Sequence, residues 1–77
     1  MKKAELESII EWKAYLEYVG NLFEYDHTEY VRNEKRLFFN DVNDGHDIDF
    51  REETILNCPN HFQYVTFDQV SKSAKDV

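Results

Sequence analysis

The sequence predicts an α+β fold: an N-terminal amphipathic helix packed on a small antiparallel sheet of three to four strands, and a short C-terminal helix. Three observations support this prediction. The first twenty residues have helical periodicity, later segments are rich in aromatic and β-branched residues, and turn-forming residues separate those segments. Because the chain has only 77 residues, we expect residues 1–77 to form a single small acidic domain.

The opening segment predicts a helix that runs to about Val19. Gly20 would end this helix by adopting a left-handed conformation, with continuation to Glu24 as the alternative. A second stripe at four-residue spacing lies outside the main apolar arc and either packs within the protein or contacts a partner or a second copy. It comprises Ile10, Ala14 and Tyr18. The main apolar arc comprises Ile9, Trp12, Tyr15, Leu16, Val19, Leu22 and Phe23.

Residues 22–36 support two interpretations. Asp26 followed by Glu29 matches a capping box at the start of a helix. The tyrosines and β-branched residues of the same segment favour a strand, with Asn33–Glu34 as a turn. We favour extended structure here.

A β-hairpin is predicted around Asn43–Asp44–Gly45, because such residues supply positive φ angles in tight turns. Apolar residues precede the turn, and a strand with clean alternation follows it. In that strand Ile48 and Phe50 point inward, whereas Asp47, Asp49 and Arg51 point outward.

The last third of the chain predicts a loop at residues 57–60, a strand at residues 61–67 and a final short helix capped by Asp68. The expected core combines apolar residues from all of these elements. It comprises Ile9, Trp12, Leu16, Val19, Phe23, Phe38, Ile48, Phe50, Tyr64 and Phe67.

The formal charge of −7 is concentrated in one segment. Residues 40–53 hold six acidic side chains against Arg51 alone, which gives a local charge of −5. The acidic residues are Asp41, Asp44, Asp47, Asp49, Glu52 and Glu53. This distribution argues against direct binding to nucleic acid or to an anionic membrane, both of which favour a basic surface.

Metal and catalytic motifs are weak. With Gly45 at the glycine position of an EF-hand loop, Val42 and Arg51 fall on positions that need oxygen ligands. A looser divalent-cation site in the hairpin remains an alternative. Cys58 and His61 form a single Cys-His pair, whereas structural zinc sites show two such pairs. No catalytic motif accompanies them, so we expect a protein without cofactor, metal or enzymatic activity.

The chain has a single cysteine, so no internal disulfide can form, and acidic residues interrupt its first twenty residues, so no apolar signal-peptide segment is present. We therefore expect an intracellular, cytoplasmic protein. Its size and acidity are typical of phage-encoded anti-restriction and anti-CRISPR proteins and of immunity proteins. We therefore expect an inhibitor that binds a basic, nucleic-acid-handling protein, with the acidic hairpin mimicking nucleic acid. Tyr18, Tyr25 and Tyr30 are the expected aromatic anchors. The alternative is a structural module that forms a homodimer through the second helical stripe.

Overall fold

The structure, a computed structural model, describes residues 1–12 and 14–69. In chain order its elements are α1 (Lys3–Trp12), β1 (Tyr15–Tyr18), β2 (Asn21–Val31), β3 (Glu34–Asp41), β4 (Asp47–Arg51), α2 (Glu52–Asn57) and β5 (Phe62–Val65). The strands form one antiparallel sheet in the order β4-β3-β2-β1-β5. The predicted α+β class with an antiparallel sheet is confirmed, with five strands instead of three or four. Within the described residues, no helix is long and apolar enough to cross a membrane.

The predicted N-terminal helix is too long, because α1 ends at Trp12 and the next element is a strand. Strand β1 lies between β2 and β5 and is hydrogen-bonded to both. These two ladders satisfy its backbone on both sides and override the helical periodicity of its side chains. The stripe of Ile10, Ala14 and Tyr18 is therefore not a helix face, since Ala14 follows the helix and Tyr18 lies in β1.

Two-residue turns set the register of the long strands. Val19–Gly20 joins β1 to β2 and Arg32–Asn33 joins β2 to β3, and all four residues have positive φ angles. This is the pattern of a type I′ turn, whose twist matches the twist of an antiparallel pair. Gly20 has the predicted left-handed conformation, but in a hairpin instead of a helix end. The extended interpretation of residues 22–36 is confirmed, since nearly all of them lie in β2 and β3.

Helix α2 was not predicted, because its six residues are too few to show helical periodicity. The helix packs against the sheet and places Ile55 in the core, with no exposed surface. Near the C-terminus, residues 67–69 are helical. The cap is Thr66 instead of Asp68: the Thr66 N–H donates to Gln69 Oε1 at 2.8 Å, and the Gln69 N–H donates to Thr66 Oγ1 at 3.3 Å. The rest of the predicted helix lies outside the described residues.

Both helices pack on one face of the sheet, and the buried core lies between them and the strands. The buried side chains are Leu6, Ile9, Ala14, Leu16, Phe23, Leu37, Phe39, Ile55 and Phe62. Ile9, Leu16 and Phe23 are confirmed as core residues, and Ile48, Phe50 and Tyr64 pack against them partly buried.

Four predicted core residues are not in the core. Trp12, Val19 and Phe67 are 78%, 68% and 64% exposed, since the helix ends early, the turn follows and the last strand stops at Val65. Phe38 points to the face of the sheet opposite the helices, because Leu37 and Phe39 on either side of it are buried.

Candidate functional site

One face of the sheet is covered by the helices, and in the part of the chain that the structure describes the opposite face is uncovered. Successive side chains of a strand point to opposite faces, so the neighbours of buried residues define the uncovered surface. We call this surface the open face. It comprises Tyr15, Glu17, Leu22, Glu24, Asp26, His27, Glu29, Val31, Glu34, Arg36, Phe38, Asn40, Asp47, Asp49, Arg51, Gln63 and Val65.

The open face holds most of the net charge of the molecule. It contains seven acidic side chains and two arginines, a balance of −5 out of the formal −7 of the whole chain. The acidic residues come from four different strands, so the sequence distributes them over distant segments. Only the register of the sheet brings them together.

An acidic row crosses the sheet near one end of the open face. Asp47 in β4 lies opposite Asn40 in β3, and Asn40 lies opposite Glu24 in β2. Glu24 in turn lies opposite Tyr15, which pairs with Val65 at the far edge. No described residue forms an ion pair with Asp47 or Glu24 within 4 Å, so their charges are not neutralised by the protein itself.

Asp26 adds a third carboxylate beside this row. A β-bulge between Tyr25 and His27 makes Asp26 the extra residue of β2. The Asn40 amide donates a hydrogen bond to Asp26 Oδ1 at 3.3 Å, which joins the bulge to the acidic row.

His27 is held between two carboxylates on the same surface. Its Nδ1 lies 2.6 Å from Asp26 Oδ2 and its Nε2 lies 3.1 Å from Glu29 Oε2. The ring stacks on Phe38, with centroids 4.6 Å apart and planes 7° from parallel. The hydrogen bond with Asp26 and then the one with Glu29 raise the pKa of His27. The same contact with His27 lowers the pKa of Asp26.

The opposite end of the open face is largely neutralised. Arg36 Nη1 lies 2.6 Å from Asp49 Oδ2, and Arg36 Nη2 lies 3.4 Å from Glu34 Oε2. Arg51 Nε also lies 3.4 Å from Glu34 Oε2. The charge on the open face is therefore uneven. Carboxylates without ion-pair partners lie at one end, and ion pairs lie at the other.

The hairpin aspartates that the sequence singles out do not form one surface. Asp41 Oδ1 accepts the N–H groups of Asn43 at 2.8 Å and Asp44 at 3.4 Å. Asp44 Oδ1 accepts the His46 N–H at 2.9 Å, and this bond lowers the pKa of Asp44. Both carboxylates thus stabilise the turn, as short polar side chains commonly do.

The other four predicted acids are divided between two sides of the molecule. Asp47 and Asp49 lie on the open face, as the alternation predicted. Glu52 begins α2, and its Oε2 lies 2.8 Å from Lys35 Nζ, a hydrogen bond that raises the pKa of Lys35. Glu53 is exposed on the same helix.

Of the three tyrosines expected as exposed anchors, only Tyr30 is exposed, at 72%. Tyr18 is half-buried, and its ring lies 4.8 Å from that of Phe50 in an aromatic cluster of the core. Tyr25 is also half-buried, and its hydroxyl lies 2.6 Å from Thr28 Oγ1. The expectation of exposure is therefore wrong for Tyr18 and Tyr25.

Sequence reasoning did not identify Glu17, Glu24, Asp26 or His27 as residues of a partner-binding surface. In β2 acidic residues recur between apolar ones, which is the pattern that could have identified this surface. The same segment also fitted a helix, so the sequence did not show which of its residues share a face. Among the described residues, no group of three His, Cys, Asp or Glu side chains could hold a metal ion.

No protein-family model matches the chain, and neither a curated protein nor a solved structure matches it.

Proposed function

We propose that the protein is a non-enzymatic inhibitor that binds a basic, nucleic-acid-handling protein through its open face. The observation that carries this proposal is the balance of −5 on one uncovered sheet surface, with the unneutralised Glu24 and Asp47 in one row. Neighbouring strands lie about 4.8 Å apart, so these two carboxylates are spaced about 10 Å across the sheet.

Fixed negative charges on a rigid sheet favour association with a basic surface in two ways. They attract the partner over long distances and raise the association rate at low salt. They also need no reordering when the partner binds, since the strands already hold their positions. A nucleic-acid-binding groove is the kind of basic surface that such an array fits.

Apolar groups among the acids supply the contact area that charge alone does not. Tyr15, Leu22, Phe38 and Val65 are half-buried on the open face. Protein interfaces combine a partly apolar centre with a polar rim. The open face has both components, which the hairpin alone lacks, because two of its carboxylates are used within the turn.

Under this proposal the protein belongs to the functional class of acidic anti-restriction, anti-CRISPR and immunity proteins. The partner would be the enzyme that such an inhibitor blocks, with its basic groove occupied in place of nucleic acid.

The proposal is tested by affinity capture from a bacterial lysate at low salt, followed by an activity assay of any captured nucleic-acid enzyme. A variant with Glu17→Gln, Glu24→Gln and Asp47→Asn removes three open-face charges that no described residue pairs with. A control with Glu7→Gln, Glu11→Gln and Glu53→Gln removes the same charge from exposed helix positions.

We expect wild type and control to capture and inhibit the same enzyme, and the open-face variant to lose at least tenfold in affinity. Equal losses in both variants would show that only the total charge matters. A captured enzyme that stays fully active at saturating protein would contradict the inhibitor proposal.

A further inference from the structure

Among the described residues, part of one side of strand β2 pairs with no other strand. Its residues 21–24 pair with β1 on one side, but β1 begins at Tyr15 and extends no further along β2. On that side, no described residue pairs with residues 25–31, although their other side is hydrogen-bonded to β3. We call residues 25–31 of this side the β2 edge.

The backbone groups of Thr28 and Tyr30 point out from the β2 edge. In a two-residue hairpin the residues that flank the turn exchange hydrogen bonds, and the bonded pairs then alternate along the ladder. Val31 and Glu34 flank the turn, so Val31 and Glu29 bond to β3. The N–H and C=O groups of the intervening Thr28 and Tyr30 are left for another strand.

A groove of about 560 Å³ adjoins the β2 edge at the start of β1. Its apolar wall comes from α1 and from aromatic rings, and its polar wall comes from β2. The residues that line it include Ile9, Ile10, Tyr25, Phe67, Glu24 and Asp26. An apolar side chain entering the groove would contact the first four and lie beside two carboxylates.

We propose that a basic, extended segment of the partner adds to the β2 edge as a further antiparallel or parallel strand, with alternate apolar side chains on the helix side. Its basic side chains would lie on the open-face side, opposite Asp26 and Glu29 as favourable cross-strand pairs, with Glu24 just beyond the end of the β2 edge. One of its apolar side chains would enter the groove. Strand addition of this kind gains affinity from main-chain hydrogen bonds and specificity from pockets for alternate side chains.

A second copy of the chain fits this edge poorly. Pairing two β2 edges would bring Asp26 and Glu29 of both copies onto the same face of the joined sheet, and like charges on neighbouring strands are destabilising. With a formal charge of −7 on each chain, the two molecules would also repel at a distance. Charge complementarity therefore selects a basic partner.

This inference rests on the proposed function for the identity of the partner, but its geometry is tested separately. The probe is a synthetic peptide of alternating lysine and valine, about seven residues long, a typical strand length. Amide hydrogen exchange is measured in the full-length protein with and without the peptide at about ten times its Kd.

We expect the amides of Thr28 and Tyr30 to exchange rapidly in the free protein and to slow about tenfold with the peptide. The amides of Glu29 and Val31 are the internal control, because their bonds to β3 protect them in both states. Unchanged exchange at Thr28 and Tyr30, or no measurable binding of the peptide, would overturn the inference.

Protection of Thr28 and Tyr30 in the free protein would also overturn it, because the edge would already be occupied. Loss of that protection on dilution would identify the occupant as a second copy. Protection that is independent of concentration would identify a segment of the chain itself.

A substitution tests whether the edge matters for the complete partner. Thr28→Pro removes an N–H that points away from β3, a position where an edge strand tolerates proline. Thr28→Val is the control, since it keeps the N–H. We expect Thr28→Pro to weaken binding of both the peptide and the captured enzyme about tenfold, and Thr28→Val to leave both nearly unchanged.

The two proposals fail differently. If Thr28→Pro binds the captured enzyme as wild type does while the open-face variant does not, the edge inference is wrong and the proposed function stands. If the peptide adds to the edge but no nucleic-acid enzyme is inhibited, the edge inference stands as a binding surface and the proposed function is wrong.

Discussion

The two faces of the sheet come from the same strands, yet they have opposite properties. Phe39 points to the helices and has no exposed surface, whereas its neighbour Phe38 points to the open face and stacks on His27. The covered face stabilises the fold through burial of apolar area. The open face carries charge that contributes little to stability, since exposed ion pairs are worth at most about 1 kcal/mol. Alternation thus separates the residues that maintain the fold from those available for recognition.

The adjacent phenylalanines give the largest expected contrast. Phe39→Ala removes a fully buried ring and should lower the free energy of unfolding by about 3–5 kcal/mol. Phe38→Ala removes a half-buried ring and its stacking on His27, and should cost about 1 kcal/mol. Urea unfolding followed by circular dichroism measures both. If Phe39→Ala is too unstable to study, Phe39→Leu should still cost more than Phe38→Leu. Equal costs at the two positions would contradict the assignment of the faces.

The β1–β2 turn offers a stabilising change. Val19 has a φ of 49°, and a β-branched residue is strained in this left-handed conformation. Asparagine accepts it readily, so Val19→Asn should raise the free energy of unfolding by about 1 kcal/mol. This turn also sets the register that assigns side chains to each face. In the β2–β3 turn the reverse change, Asn33→Val, should destabilise by a similar amount. A loss of stability in Val19→Asn would argue against the type I′ turn.

The ion pair at the neutralised end of the open face should contribute less. Arg36 and Asp49 lie 2.6 Å apart and both side chains are partly exposed. A double-mutant cycle with Arg36→Met and Asp49→Asn should give a coupling energy of about 0.5–1 kcal/mol, decreasing with salt. A coupling above about 2 kcal/mol would mean that this end of the face is shielded from solvent. The open face would then have a structural role as well.

The smallest expected effect is a pH dependence at His27. Its pKa is raised in the folded protein by Asp26 and Glu29, so the stability it contributes is complete below its ordinary pKa of about 6.5. That contribution is lost as the pH rises through the folded-state pKa. Wild type should therefore lose stability relative to His27→Gln between mildly acidic and mildly alkaline pH. Urea midpoints measured across this range test this prediction. If the midpoints of the two proteins change with pH in parallel, the stabilising contact of His27 with Asp26 and Glu29 is contradicted.

Much of the sheet was predictable from local patterns. The hairpin at Asn43–Asp44–Gly45, in which Gly45 alone of the three has a positive φ angle, and the alternation of Ile48 and Phe50 in β4 both follow from short-range rules of hairpin chemistry and strand period. Strand β5 was likewise evident from its aromatic and β-branched residues.

Two of the failures share a physical cause, which is that tertiary pairing decides between local alternatives. Residues 15–18 fit a helical arc, but two neighbouring strands satisfy their backbone and make them β1. The run Leu37–Phe38–Phe39 is apolar throughout, so its pattern does not reveal which ring faces inward. Helix α2 is too short for periodicity to identify.

The candidate site was predictable only in part. Asp47 and Asp49 were placed correctly, because they alternate with apolar neighbours in one strand. Glu24 and Asp47 are far apart in sequence and share a row only through two ladders of the sheet. Acidic clustering along the chain therefore identified the charge but not the surface that carries it.

The footprint of the bound partner on the protein shows directly whether the open face binds it. Isotope-labelled protein is titrated with the captured enzyme, and amide chemical-shift changes are mapped by residue. We predict changes concentrated at Glu24, Asn40 and Asp47 and along the β2 edge, with Glu7, Glu11 and Glu53 on the helices unaffected. A footprint confined to the helices, with the open face unchanged, would contradict binding through the open face.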